Sequence, residues 1–232
     1  ISQGIDQVGI PTAIVPSASY SPVYDQAFYW VTSCFDYYMA TGDSCFISDV
    51  QDKVERFLRS CIPHISDEGF FVPPYFSWYW VDWAPINKKP YSLAINCLLY
   101  LAAEAAWRMS GVTGSQALKR VSGAIVKVLK KAIPRFYDRQ KSCFCSWHPA
   151  KKEFRENPFN YHESSRKLLE YDLHGNALAC LSGCGSVPQR TAAVNFMAEL
   201  IKESSVPGSL FGPGWSELIL SRLFEYKHSE EA

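Results

Sequence analysis

Aromatic rings and one carboxylate are concentrated in the segment 70–83, which reads Phe-Phe-Val-Pro-Pro-Tyr-Phe-Ser-Trp-Tyr-Trp-Val-Asp-Trp. Aromatic faces beside an acid are suited to sugars, because the C–H face of a pyranose stacks on indole and its hydroxyls need fixed hydrogen-bond partners. Trp80, Asp82 and Trp83 are therefore candidate sugar-binding residues. The alternative is a buried loop whose rings fill a gap between helices, since large rings are common in protein cores.

Acidic residues beside long loops are candidates for the general acid and general base that hydrolyse a glycosidic bond. Inverting glycosidases need a general acid and a general base about 6.5–9.5 Å apart. Asp25, Asp82 and Glu163 have suitable positions, and Asp25 lies close in sequence to Trp30. The structural alternatives are a helix N-terminal acid for Asp25, a loop-ordering carboxylate for Asp82 and a plain core position for Trp30.

His174 and Asn176 open an apolar helix. Both side chains suit hydroxyl recognition, and both could instead cap that helix locally.

Charge and hydropathy exclude several classes of partner. The 232 residues carry 23 basic and 23 acidic side chains, so no general attraction to nucleic acid or anionic lipid is expected. No uninterrupted apolar run reaches the length that crosses a membrane. We expect a carbohydrate partner, with no nucleic acid and no membrane.

The eight cysteines lie mostly within helical patterns, which indicates a reduced, cytoplasmic protein. Groups of Cys and His at 143–148 and 174–184 lack the spacing of an established zinc site. We therefore expect no metal and no cofactor.

Helical periodicity recurs along the chain, while strand signals are scarce. The predicted helices are 25–41, 48–61, 91–109, 118–132, 173–181, 189–202 and one beginning near Trp215. In each pair the first helix is the more apolar or aromatic one, and the second is amphipathic with its charges outside. Such pairs predict an all-α fold with an inner and an outer ring of helices, an incomplete α/α toroid, or else a solenoid of hairpins.

The loops leading into the inner helices are long and must emerge on one face. They are 9–24, 69–90, 139–171 and 204–214. Because loops of this length are usually functional or disordered, and these are too aromatic for disorder, that face is the predicted site.

Four groups of residues resemble the bacterial α-L-rhamnosidases, which are six-hairpin glycoside hydrolases with an (α/α)6 catalytic domain. They are Gly9-Ile-Pro11 with Asp25, Phe28-Tyr-Trp30, Asp36-Tyr-Tyr38 and Thr41-Gly-Asp43; Trp80-Val-Asp82-Trp83; His174-Gly-Asn176-Ala-Leu-Ala; and Gly212-Pro-Gly-Trp215-Ser. They occur in the family's order and span nearly the whole chain.

The resemblance implies an inverting hydrolase of terminal α-L-rhamnosides. The family's general acid belongs to a segment before Ile1 and its general base to a segment after the helix near Trp215, so residues 1–232 are expected to form the middle of one catalytic domain. The catalytic pair is then supplied by the remainder of the polypeptide. By resemblance, Trp30 and Trp83 line the sugar pocket, and Asp25 and Asp82 bind sugar hydroxyls or order the general acid. With Trp80, His174 and Asn176 they make up the predicted substrate-binding residues.

Three other functions remain open from the sequence. One is a non-catalytic carbohydrate-binding protein with the same helix pairs. A second is a six-hairpin glycosidase of other sugar specificity. The third is an α/α-toroid lyase or isomerase, in which Tyr and His would be the acid and base.

Overall fold

The structure, a computed structural model, describes residues 23–74, 77, 79, 81–82, 86–87, 91–149, 169–203, 215–217, 219, 221–223 and 225. In these ranges the chain is all-α, as the periodicity predicts. The helices are α1 (Tyr24–Thr41), α2 (Ser44–Cys61), α3 (Leu93–Thr113), α4 (Gln116–Ala132), α5 (Leu173–Leu181) and α6 (Val187–Glu203). The described residues between 215 and 225 are also helical and form the last helical segment.

Single-turn helices and very short strands complete the described chain. The 3-10 helices are Ile62–His64 and Ile133–Phe136. The strands are β1 (Tyr91–Ser92), β2 (Tyr137–Asp138), β3 (Cys143–Phe144) and β4 (Trp147–His148). β1 pairs antiparallel with β4, and β2 pairs antiparallel with β3.

The turn between α1 and α2 is set by Gly42 and Asp43. Gly42 has a φ of 71° and its N–H donates to the carbonyl of Tyr38, which is a left-handed helix ending that favours glycine. The Asp43 carboxylate accepts from the N–H of Phe46 at 3.0 Å. Because of this N-cap, α2 begins at Ser44, four residues earlier than the sequence predicts.

α3 begins and ends a few residues later in the sequence than predicted. Tyr91 and Ser92 are held in β1, so the helix begins only at Leu93. It continues to Thr113 and ends before Gly114, whose φ is 74°.

α6 begins at Val187, two residues before the predicted start, because a capping box precedes it. The N–H of Ser186 donates to Oε1 of Gln189 at 2.8 Å, and the N–H of Gln189 donates to Oγ of Ser186 at 3.4 Å. This reciprocal pair satisfies two backbone donors at the helix start.

The chain divides into two units, and each is described by itself. The first comprises Ile1–Trp80, Leu98–Lys131 and Asn157–Phe159. The second comprises Val81–Cys97, Ala132–Glu156 and Asn160–Ala232.

The first unit is centred on four fully buried rings, Tyr24, Phe28, Phe57 and Phe71. Their contacting pairs have ring centroids 5.5–6.1 Å apart, the range of favourable aromatic packing. Phe71 belongs to the aromatic segment 70–83, and so does the buried Phe70. For these two residues the alternative of a buried loop is correct.

The sequence pattern predicts that Leu118, Val121, Ile125, Val128 and Ala132 form the inward stripe of α4, and the structure differs from this at a single position. Leu118, Val121 and Ile125 are buried as predicted, but Val128 is 36% exposed. The stripe continues at Leu129, four residues after Ile125, which keeps it on one side of a 3.6-residue turn.

The second unit is built around α5, whose residues 173–180 are all buried. α5 packs against α6 and β3. A short helix buried on all sides agrees with the inner position predicted for it. In the described ranges, no helix combines the length and apolarity needed to cross a membrane.

Candidate functional site

His174 and Asp82, two of the predicted sugar-binding residues, are in direct contact in the second unit. Nε2 of His174 lies 2.6 Å from Oδ2 of Asp82, the distance of a strong charge-assisted hydrogen bond. The His174 side chain is fully buried, whereas the Asp82 side chain keeps 5% of its surface exposed. Both residues are therefore buried, and Asp82 is the less deeply buried of the two.

A second carboxylate, from Asp172, faces the other nitrogen of the same ring. Nδ1 of His174 lies 3.5 Å from Oδ1 of Asp172, an ion-pair distance longer than a hydrogen bond. Asp172 is also the N-cap of α5, because Oδ1 accepts from the N–H of Gly175 at 2.7 Å. Sequence reasoning missed Asp172, although an acid directly before an apolar helix is a recognised N-cap signal.

Burial and the two carboxylates act on the charge of His174 in opposite directions. Burial disfavours the charged ring, but charge attraction from Asp172 and Asp82, with the hydrogen bond to Asp82, outweighs it and raises the pKa of His174 above its ordinary value of 6.5. Burial also disfavours the Asp172 carboxylate, yet the charge of His174 and the hydrogen bond from the N–H of Gly175 lower the pKa of Asp172 below its ordinary 3.8. Both shifts favour the charged forms, an imidazolium at His174 and a carboxylate at Asp172.

Trp215 connects the last helical segment to the same group. Its ring lies edge-on to His174, with centroids 4.7 Å apart and planes at 75°. Its Nε1–H donates to the carbonyl oxygen of Val81 at 2.7 Å. Sequence reasoning noted Trp215 as part of a loop motif and as the start of a helix, and did not place it at the site.

Val81, directly before Asp82, has a left-handed backbone with a φ of 61°. A β-branched residue rarely adopts this conformation, and it persists only where surrounding contacts hold it. Strained residues of this kind cluster at functional sites, so the outlier itself marks the Val81–Asp82 segment.

Gly175 is required by close packing at the start of α5. A Cβ on Gly175 would lie 2.9 Å from Cδ2 of Leu93 and 3.2 Å from Oδ2 of Asp172. Any larger residue would therefore press on both the core and the N-cap.

Asn176 points away from His174, because positions two apart on a helix differ by about 200°. Its Oδ1 accepts from the N–H of Phe144 at 2.8 Å. Its Nδ2 donates to the carbonyl oxygens of Phe144 and Asp172 at 2.9 and 2.8 Å. Both amide hydrogens are thus used within the protein, which ties β3 to α5, and a sugar contact by Asn176 stays a prediction.

The remaining predicted residues fall outside this group. Asp25 is fully buried in the first turn of α1, and Trp30 is half-buried on the same helix; both belong to the first unit. Trp80 and Trp83 lie outside the described residues, as does Glu163. The sugar-binding roles of these residues stay predictions.

All eight cysteines lie in the described ranges as free thiols. Cys34, Cys61, Cys97 and Cys180 are buried, which confirms them as core residues. Burial raises the pKa of Cys34 to about 11, so this thiol is unreactive near neutral pH. In the part of the chain that the structure describes, no group of three His, Cys, Asp or Glu side chains is arranged to hold a metal ion.

No protein-family model matches the sequence, and no curated protein matches it significantly. Solved structures with the same fold do exist. A GH78 family rhamnosidase of Bacillus sp. GL1 superimposes with a TM-score of 0.71 and 20% identity, covering 93% of this chain. A rhamnosidase from Klebsiella oxytoca with rhamnose bound superimposes with a TM-score of 0.69 and 16% identity, covering 97% of this chain.

The α-L-rhamnosidase of Streptomyces avermitilis, complexed with L-rhamnose, gives a TM-score of 0.60 and 18% identity over 98% of the chain. This chain spans 21%, 40% and 19% of the lengths of these three proteins, in the same order. The chain therefore has the fold of part of the α-L-rhamnosidases, which confirms the fold expected from the sequence resemblance. At these identities the likeness concerns the fold alone.

Proposed function

We propose that the protein is a glycoside hydrolase of the α-L-rhamnosidase type and that residues 1–232 form the middle of its catalytic domain. The observation that carries this proposal is the likeness to three rhamnosidase structures over 93–98% of the chain. The sequence resemblance points to the same family independently, through motifs that include Asp82 and His174.

The proposed reaction is the hydrolysis of a terminal α-L-rhamnoside with inversion. Such a reaction needs a general acid at the leaving oxygen and a general base that activates water. We assign both carboxylates to the remainder of the polypeptide. This chain contributes sugar-binding residues, for which we propose Asp25, Trp30, Trp80, Asp82, Trp83, His174 and Asn176.

Asp82 has the clearest role in this proposal. Its carboxylate is fixed by His174, and its side chain keeps the larger exposed fraction of the two. A fixed carboxylate is a strong acceptor for a sugar hydroxyl, because it requires no reorganisation when the sugar binds. His174 is fully buried, so it acts through Asp82 and is unsuited to be the acid or base of a lyase or isomerase.

Aryl glycosides test the proposed activity directly. The protein as encoded is expected to release the aryl group from an aryl α-L-rhamnoside, and the first sugar formed should have the inverted anomeric configuration by NMR. Aryl glycosides of glucose, galactose and xylose are the matched controls. Cleavage of one of these in place of the rhamnoside would contradict the specificity and leave a six-hairpin glycosidase of another sugar.

One observation favours a second candidate, a non-catalytic carbohydrate-binding protein. Asp82 and Asp172, the two carboxylates of the described site, lie against opposite nitrogens of one buried ring, which suits fixed binding groups better than an acid and base pair. The two candidates differ in turnover: saturable L-rhamnose binding without hydrolysis of any aryl glycoside would favour the binding protein.

We further propose a cytoplasmic location, because eight free thiols suit a reducing compartment.

A further inference from the structure

We propose that His174 is a positioning residue that works as a buried imidazolium: it holds the Asp82 carboxylate and the Val81–Asp82 segment ready for a sugar hydroxyl, and binding at Asp82 is lost when the ring loses its proton. That the ligand at Asp82 is a saccharide follows from the proposed function. The charged state of the ring rests on the geometry of the second unit.

The hydrogen-bonding capacity of imidazole fixes the charged state. A neutral ring has one N–H and one lone pair, whereas an imidazolium has two N–H groups. Carboxylate oxygens face both nitrogens of His174, at 2.6 Å on Nε2 and at 3.5 Å on Nδ1. A neutral ring would turn a lone pair toward one of two buried carboxylates, and the imidazolium avoids this repulsion.

The surroundings contain further titratable groups, but these are uncharged near neutral pH. The thiols of Cys97, Cys143 and Cys145 interact with Asp172, and burial raises the pKa of each of them. Trp215, which packs on the ring from the last helical segment, does not titrate. In the described part of the unit, the imidazolium lies between the two carboxylates, and its deprotonation would remove one positive charge from beside both of them.

The same proton stabilises the backbone next to Asp82. Val81 is held in its left-handed conformation with Trp215 on its carbonyl oxygen, and the adjacent Asp82 is held by His174. Weakening the His174–Asp82 contact would let this strained segment relax, since strained backbone persists only where its surroundings fix it. The carboxylate would then lose the orientation in which it accepts a sugar hydroxyl.

The charged state can be tested without any ligand by 15N NMR of the histidine rings. His64, in the first unit, is the internal reference, because burial lowers its pKa below 6.5. At about pH 7.5, His174 is expected to show two protonated ring nitrogens while His64 is neutral. Loss of the signal in a His174→Gln variant assigns it, and a neutral His174 ring at that pH would overturn the proposal.

The positioning role can be tested by L-rhamnose titration calorimetry on the protein as encoded, from about pH 6 to about pH 10. The affinity is expected to fall about tenfold or more as the His174 ring deprotonates, as for the loss of one charge-assisted hydrogen bond. The fall should follow the NMR titration of His174. Binding that is constant across this transition would overturn the positioning role.

The Asp172→Asn variant distinguishes a positioning role of the His174 charge from structural support alone. Asn keeps the N-cap, because it is as good a capping residue as Asp, but it removes one of the two charges that hold the imidazolium. The binding curve and the His174 titration are both expected to move to lower pH by about one unit or more. A His64→Gln control should leave both curves in place. An unchanged midpoint in Asp172→Asn would contradict the proposal.

Failure of this inference and failure of the proposed function give different results. If L-rhamnose binds but its affinity does not follow His174, the inference fails and the function stands. If L-rhamnose binds at no pH, the proposed function fails and the ligand half of the inference fails with it. The NMR titration still decides the charged state of the ring in that case.

Discussion

The Nε1–H of Trp215 donates to the carbonyl oxygen of Val81 over 2.7 Å, joining residues that are 134 positions apart. Val81 has a φ of 61°, and the following residue, Asp82, is bound to His174. The segment is thus held from two sides, by an indole at its strained peptide and by an imidazolium at its carboxylate. Backbone strain is tolerated where such contacts over-determine the geometry.

Trp215→Phe should keep a ring against His174 while removing the hydrogen bond to Val81. We expect the free energy of unfolding to fall by about 2 kcal/mol, from the lost buried hydrogen bond and the smaller apolar ring. Chemical denaturation measures this change. Trp107→Phe is the control, because Trp107 is 48% exposed, and it should change stability by less than about 0.5 kcal/mol. Equal effects of the two substitutions would contradict a bridging role for Trp215.

His174 and Asp172 should make the stability of the protein fall at both high and low pH. The raised pKa of His174 gives a stabilisation that is complete below pH 6.5 and lost as the pH rises through its folded value. The lowered pKa of Asp172 gives a stabilisation present above pH 3.8 and lost as the pH falls through its folded value. His174 and Asp172 therefore contribute most to the stability between pH 3.8 and pH 6.5.

Denaturation curves across this range check the pH dependence. The contribution of His174 should disappear on the alkaline side in the wild type, and Asp82→Asn should shift that loss to lower pH. The same alkaline loss is expected in His64→Gln, which leaves the group intact. A wild-type stability that rises steadily on the alkaline side would contradict the assigned charges.

Asn176→Ala should be strongly destabilising. It removes three hydrogen bonds and leaves the N–H and carbonyl of Phe144 without this partner in a buried place, at about 1 kcal/mol or more for each bond. We expect a loss of about 3 kcal/mol in the free energy of unfolding. Asn195→Ala, at an exposed position of α6, is the matched control and should lie within about 0.5 kcal/mol of the wild type. A mild effect of Asn176→Ala would mean that β3 does not depend on this side chain.

Two glycine-to-alanine substitutions in helices should have opposite signs. Gly175→Ala places a Cβ 2.9 Å from Leu93 Cδ2, and the clash should outweigh the better helix propensity of Ala, for a net loss of about 1 kcal/mol. Gly123→Ala meets only Trp107 Cδ1, at an ordinary 3.8 Å. It should therefore stabilise the protein by about 0.5–1 kcal/mol. Thermal unfolding of both variants decides this, and a stabilising Gly175→Ala would show that Leu93 yields without cost.

Helical hairpins were predictable because apolar periodicity is a local property of the sequence. The errors lie at helix ends, where single side chains decide. Asp43 starts α2 earlier, the Ser186–Gln189 pair starts α6 earlier, and pairing of β1 delays α3. Two-residue strands have no alternation to read, so they depend on tertiary contacts that a periodicity search does not detect.

Two residues of the site could be predicted from the sequence, but the contacts between its residues could not. Asp82 and His174 were both identified from their residue types and from motif resemblance. Their 2.6 Å contact spans 92 positions and depends on the packing of α5, which local sequence does not specify. Asp172 was missed because its N-cap role is local and ordinary, whereas its charge on His174 appears only in three dimensions. Trp215 was missed for a similar reason.

A crystal structure of the encoded protein soaked in L-rhamnose shows whether Asp82 binds the sugar, because it locates the sugar relative to this carboxylate. We expect an ordered sugar with a hydroxyl oxygen about 3 Å or less from the Asp82 carboxylate, and His174 still on Oδ2. An ordered L-rhamnose elsewhere in the protein, with no hydroxyl near Asp82, would contradict this expectation.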